Sequence, residues 1–289
     1  MLNLSEYAGH PTRLADYLPW ACLVAPGVVL NKDGAFQTSF RYRGPDLESS
    51  TEAELVAVTA RVNNVLRRFG SGWALFFEAQ RHEVHDYLEA EFPDALSWLI
   101  DQERALQAEE SGARFESAYY LNLLWLPPAD ATGRAEKALI QRAETEDAAT
   151  WRHRLETFQQ HADRVFDLLS TCLAEIGKLT DDETLTYLHS TISIKRHPVV
   201  TPELPVFLDA VLADEPFAGG LEPMIGDAHL RTLTILGFPA STLPGILDEL
   251  NRQGFAYRWA TRFIAMDKAQ AEKVNTSNPD DEDDDITMA

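Results

Sequence analysis

Chemistry in this chain would have to begin from a few residues. Glu175-Ile-Gly-Lys-Leu-Thr-Asp-Asp182 holds the only Gly-Lys pair, Gly177-Lys178. A phosphate-cradling loop requires Gly-x-x-x-x-Gly-Lys-Ser/Thr, whose backbone N–H groups wrap the phosphates and whose hydroxyl meets Mg²⁺. Here Cys172 stands where the first glycine belongs and Leu179 follows the lysine. His82-Glu83-Val84-His85 sets two imidazoles three apart, whereas a helical zinc site sets them four apart with the glutamate beside the first. No third ligand is apparent. His153, Glu156 and His161 read as polar residues on the surface of one helix, and Ser170, Ser190 and Ser193 lack a Gly-x-Ser-x-Gly setting. Glu222 to Gly226 has no glycine-rich phosphate loop, and the acidic run Asp280–Asp285 follows no apolar strand. The sequence therefore assigns no catalytic, cofactor-binding or metal-binding residue.

Composition narrows the partners. The 289 residues are 45% hydrophobic, enough for a sizeable core, and carry a net charge of −21. Six acids fall in the tail, leaving −15 for residues 1–273, so the body itself is acidic. Tight non-specific nucleic-acid binding rests on Lys and Arg neutralising phosphates, and this balance argues against it. The best basic patch, Lys195-Arg196-His197, is three residues long. Cys22 and Cys172 read as buried free thiols of a reducing compartment. No basic-flanked leader is visible, and the longest apolar run, Leu18 to Leu30, is broken by Pro19 and Pro26. A cytoplasmic chain without a lipid anchor of its own is expected.

Periodicity supplies the elements. Val28-Val29-Leu30, Asn31-Lys32-Asp33-Gly34 and Ala35 to Arg43 read as a hairpin, with Phe36, Thr38, Phe40 and Tyr42 on one face. Thr51-x-x-Glu54 is a capping box that opens a helix bearing Leu55, Val58, Val62, Val65, Leu66 and Phe69. Trp73, Leu75 and Phe77 alternate in a strand. Pro93 opens a helix with Leu96, Leu99, Ile100 and Leu106 on its stripe, and Phe115 to Leu126 reads as a central strand. A helical section runs from about Gly133 to Ile176. Trp151, Leu155, Phe158, Ala162, Val165, Leu169, Cys172 and Ile176 repeat there in heptad steps. Phe166, Leu168 and Leu173 widen that stripe. Packing within one domain, as a helical hairpin with the segment near Leu139, is favoured over a coiled coil. Gly177-Lys178 then reads as a helix end, and Thr180 to Glu183 as the next helix start.

In the last third, Leu230 to Phe238 reads as a strand and Leu243, Ile246, Leu247 and Leu250 as a helix. Phe255, Tyr257, Trp259 and Phe263 are expected on the core face of a final strand, opposite Arg258 and Arg262. Residues 35–80 and 230–264 share this plan. The fold class is α+β: two mixed strand/helix lobes, roughly 1–130 and 200–274, joined by a helical middle, 131–199. Residues 275–289 read as a disordered acidic tail, too poor in large apolar side chains to offset the entropy of ordering.

Four stretches carry a family resemblance: Leu18 to Gln37, Gly70 to Arg81, Glu183 to Ser190 and Tyr257 to Arg262. They resemble the TrbE proteins, conjugal transfer ATPases of the CagE/TrbE/VirB family of type IV secretion, over about residues 1–274. The resemblance implies a longer protein whose N-terminal domain precedes a RecA-like motor with Walker A and Walker B, acting at the cytoplasmic face of the inner membrane. Only the N-terminal domain is matched. No nucleotide-binding residue carries over, and ATP and Mg²⁺ are implied only for the full-length family. After Val274 the family would continue as a helix, whereas here Asn275 to Asp280 turns polar and acidic. The expectation is a non-enzymatic docking and assembly domain. Its expected partners are inner-membrane secretion subunits and other copies of the chain. A nucleotide-hydrolysing enzyme with an unfamiliar site, or a remnant of a truncated gene, stand as alternatives.

Overall fold

The computed structural model describes residues 13–46, 49–84, 90–110, 114–127, 143–235, 241, 245–268 and 271–272. The acidic tail, His85 and the segment near Leu139 lie outside them. A short helix α1 (Leu14–Tyr17) leads into strands β1 (Trp20–Ala25), β2 (Val28–Asn31) and β3 (Phe36–Arg43). Helix α2 (Glu52–Leu66), strand β4 (Trp73–Val84), helix α3 (Ala95–Glu110) and strand β5 (Arg114–Trp125) follow. Helix α4 (Ala143–Leu169), strand β6 (Glu175–Lys178) and helices α5 (Asp181–Ser190) and α6 (Leu208–Leu212) come next. Three two-residue strands, β7 (Phe217–Ala218), β8 (Met224–Ile225) and β9 (Ala228–His229), form a small sheet, and β10 (Tyr257–Ile264) closes the list.

The main sheet has the order β1-β2-β3-β5-β4-β10, with β6 also on β3, and every pairing is antiparallel. Its β2–β3 turn is the expected one: Asn31 N–H donates to Ala35 O at 2.8 Å, and Gly34 takes φ 87°. β5 lies between β3 and β4, as its two-sided apolar pattern requires. Phe36, Phe40, Leu75, Leu121 and Leu123 point to one face. They pack there against Phe158, Ala162, Val165 and Leu169 of α4 and Val65 of α2. The opposite face meets a second core, built from Leu14, Trp20, Val29, Leu185, Leu188, Leu208 and Leu212. Capping boxes start two of the helices: Thr51 with Glu54 on α2, and Thr180 with Glu183 on α5.

The α+β class holds, but the elements are shared out differently from the pattern. β10 does not found a separate lobe; it pairs along its whole length with β4, from Tyr257 opposite Arg81 to Ile264 opposite Ala74. The strand expected at Leu230–Phe238 is absent from its described part, residues 230–235. Alternation gave no strand there because no neighbour offers an edge, and Leu233 and Ile235 are exposed. In place of a helix over 243–250, a turn leads into a 3₁₀ helix, Asp248–Arg252.

The heptad seam faces the sheet. It covers the β-sheet rather than a second helix, so it spans neither a coiled coil nor the expected hairpin. The helix also stops earlier, at Leu169. Ser170 and Thr171 turn their hydroxyls onto Asp167 O and Leu168 O at 2.8 and 2.7 Å, competing with the helical pattern. Cys172, Leu173 and Ile176 still pack on the same core, which is why the heptad count runs past the helix end.

Candidate functional site

The near-miss phosphate segment is an edge strand. β6 pairs Lys178 with Phe40 and Glu175 with Arg43, Ala174 N–H donates to Arg43 O at 3.1 Å, and Leu179 N–H to Ser39 O at 3.2 Å. Its backbone groups are committed to β3 and form no cradle. Gly177 therefore caps no helix, contrary to the sequence reading. Lys178 Nζ sits 2.6 Å from Asp163 Oδ1 and 5.1 Å from the Phe166 ring centroid. These residues do not fit a triphosphate with Mg²⁺.

The remaining candidates are also tied into the fold. His82 lies on β4 opposite Glu116; burial, then the Arg196 charge, hold its imidazole below the usual range. Among the described residues no group of three or more His, Cys, Asp or Glu side chains is placed to hold a metal ion. The basic triplet is dispersed. Lys195 Nζ pairs with Glu215 Oε1 at 2.7 Å, Arg196 Nη1 reaches Gln80 Oε1 at 3.4 Å, and the His197 ring lies 4.5 Å from that of His189. His161 packs its ring 5.6 Å from Trp73, and Ser190 Oγ donates to Tyr187 O at 2.6 Å.

What the sequence did not single out is a buried polar network between the sheet and α5. Glu78, 3% exposed, stands in the middle of β4. Its carboxylate accepts from Tyr187 Oη at 2.7 Å, from Gln80 Nε2 at 2.8 Å and from Arg258, whose Nη2 lies at 2.8 Å and whose Nε is also bonded. Asn122 Nδ2 donates to Tyr187 Oη at 2.6 Å, and Ser39 Oγ donates to Asn122 Oδ1 at 2.5 Å. Arg258 Nη1 goes on to Thr191 O at 2.8 Å. Burial, then the charge and hydrogen bond of Glu78, push the Tyr187 hydroxyl well above the ordinary tyrosine range. The network joins β3, β5, β4 and β10 to α5, and each Glu78 oxygen is satisfied. A carboxylate so fully occupied fixes geometry rather than moving protons. One signal was available: a lone glutamate inside an otherwise apolar central strand must find partners.

Beside it, on the α4 side of the sheet, lies a cleft of about 760 Å³ between the sheet edge and residues 245–252. Tyr42, Phe77, Tyr119, Tyr257 and Trp259 wall it. The apolar surface of the molecule is most open on α3. Asp94 caps this helix, accepting from Leu96 N–H and Ser97 N–H at 2.9 Å each. The stripe of Leu96, Leu99, Ile100 and Leu106 is 47–66% exposed, and Trp98 is exposed as well. That stripe was expected to face a core; here it faces outward from the β4–β5 connection. No described helix is long and apolar enough to cross a membrane.

Comparison with known proteins gives this surface a context. The N-terminal domain of the type IV secretion system ATPase VirB4/TrbE matches residues 27–133, from β2 through β5. A conjugal transfer protein TrbE of Rhizobium radiobacter is 31% identical over 287 residues, covering 94% of this chain and 35% of the relative. The first portion of a probable conjugal transfer protein TrbE of Sinorhizobium fredii, a relative split into two chains, is 34% identical over 148 residues, which is 50% of this chain and 99% of that portion. The chain belongs to the VirB4/TrbE family. A type IV secretion system protein VirB4 of Brucella suis is 22% identical over 94% of the chain and 35% of its own length. The chain thus spans about a third of the length of the Rhizobium and Brucella relatives. The fold explains why the four resembling stretches stand so far apart in sequence. Gly70–Arg81 supplies Glu78 and Gln80, Glu183–Ser190 supplies Tyr187 and Ser190, and Tyr257–Arg262 supplies Arg258. Leu18–Gln37 supplies Gly27, whose N–H donates to Asp181 Oδ1 at the start of α5 at 2.6 Å.

Proposed function

We propose that this chain is a docking and assembly domain of a TrbE-type secretion ATPase and performs no nucleotide hydrolysis itself. The observation that carries the reading is α3: an amphipathic helix whose apolar stripe is exposed while the sheet faces beneath the other helices are filled. An exposed apolar stripe rimmed by charge marks a protein contact, with anchors at helical spacing. The partners proposed are inner-membrane subunits of a conjugation machine, reached from the cytoplasmic face. The net charge of −21 disfavours direct adsorption to an anionic leaflet, which attracts basic segments.

The enzymatic half of the proposal rests on the edge-strand geometry of Glu175–Lys178. Purified protein should show no ATP turnover above a buffer blank; turnover abolished by Lys178→Ala would contradict it. The docking half is tested in a conjugating donor. Over-production of the chain should lower transfer frequency by occupying sites that the intact ATPase needs. The Leu96→Asp/Leu99→Asp/Ile100→Asp variant, made to the same level, should restore transfer. Equal inhibition by both would remove α3 from the account.

A further inference from the structure

We infer that a second apolar face, where the chain leaves the sheet after β10, is the seat of the region of a TrbE-type chain that lies beyond the span matched here. This face is on the other side of the sheet from α4 and away from α3. A recess of about 530 Å³ opens there, with Phe76, Leu124, Leu126, Ile264 and Met266 in its walls. Leu126, Ile264 and Met266 are 47, 43 and 46% exposed. Phe76 and Leu124 belong to neither of the two cores, although both sit in the middle strands of the sheet. Filled sheet faces are the rule in this molecule, so an apolar recess over β4 and β5 stands out as unfinished.

The course of the chain says what finishes it. Ala265 N–H donates to Trp73 O at 3.0 Å, Ser71 Oγ donates to Asp267 Oδ2 at 2.8 Å, and Asp267 N–H donates back to Ser71 Oγ at 3.1 Å. The segment after β10 is thereby pinned across the turn before β4, at the rim of the recess. The Rhizobium relative aligns with 94% of this chain and continues for most of its own length, since only 35% of it is covered. The matched family domain is an N-terminal one. In such a relative the next folded unit emerges beside Ile264 and Met266, tethered at high effective concentration to the nearest uncovered apolar surface. A five-residue apolar recess suits an insertion by one or two large side chains of that unit.

The probe is the polypeptide of the Rhizobium radiobacter relative that follows its matched span, titrated onto the immobilised full 289-residue chain. Ile264→Asp and Met266→Asp change exposed side chains, so each should keep the parent melting temperature. Saturable binding to the parent chain is expected, weakened at least about tenfold by either substitution and unchanged by Leu99→Asp on α3. Absence of binding to the parent, or equal binding to the Asp variants, would overturn the inference. So would self-association of the chain that Ile264→Asp abolishes in sedimentation, because the recess would then seat a second copy. None of these outcomes depends on α3, so failure here is distinguishable from failure of the docking role.

Discussion

Arg258 and Glu78 hold the last strand to the sheet through a charged pair, Nη2 to Oε2 at 2.8 Å, in which the carboxylate is almost wholly buried. The sequence placed Arg258 on an outer face with little to lose. Its guanidinium is partly exposed, yet removing it strands a buried carboxylate. Breaking a buried pair from one side costs about 3–5 kcal/mol. The exposure of Arg258 and the remaining donors Tyr187 and Gln80 reduce this to about 2–3 kcal/mol for Arg258→Met. Trp259 is half-buried on an edge strand, so Trp259→Ala should cost about 1–2 kcal/mol rather than a full core truncation. Urea denaturation of the two variants ranks them; a larger loss for Trp259→Ala would contradict the network.

Alkaline pH should unfold this protein early. Burial, reinforced by the neighbouring Tyr119, pushes the Tyr42 hydroxyl up to about 12, and burial with Glu78 raises Tyr187 further. In the unfolded chain a tyrosine loses its proton near about pH 10. Above that pH the unfolded state binds fewer protons than the folded one, so stability falls as pH rises. The contribution is complete below about pH 10 and declines by about 1.4 kcal/mol per pH unit for each such group. Tyr42→Phe should flatten the loss between about pH 10 and 12 in a chemical-denaturation series. A slope identical to the parent would show that Tyr42 titrates normally.

Gly27 marks where the β1–β2 turn meets α5. It adopts φ +65°, and a Cβ there would stand 2.6 Å from the backbone oxygen of Leu179. Gly27→Ala combines a left-handed conformation, about 1–2 kcal/mol, with a clash against backbone that cannot step aside. A loss of at least about 2 kcal/mol is expected. Gly44→Ala, with open space around it, should stay within about 0.5 kcal/mol. Thermal melts of the pair check this, and equal stability would place the turn elsewhere.

The local grammar of this fold was legible. The capping boxes at Thr51 and Thr180, the Asn31–Gly34 turn and the central position of β5 follow from side chains acting within a few residues of themselves. Long-range assignment was not. The alternation of Tyr257–Phe263 gives a strand but cannot say that its neighbour is β4, 180 residues away at the Arg258–Glu78 pair. The heptad from Trp151 to Ile176 gives an apolar stripe but not whether a helix or a sheet covers it. Leu96, Leu99, Ile100 and Leu106 show the same gap in reverse: periodicity marks a buried face even when the burying surface belongs to another molecule. The family resemblance was carried by stretches whose shared purpose, the Glu78 network, appears only once they are brought together.

The central claim is that α3 docks this domain onto membrane-embedded partners through protein contacts. Cell fractionation tests it most directly, with the chain produced alone and then together with the inner-membrane subunits of a conjugation system. Alone, the chain should remain in the soluble fraction. With the subunits, a share of it should move to the membrane, and Leu96→Asp/Leu99→Asp/Ile100→Asp should return it to the soluble fraction without lowering its melting temperature. Membrane recovery without the subunits, no shift with them, or an undiminished shift of the triple variant would contradict the account.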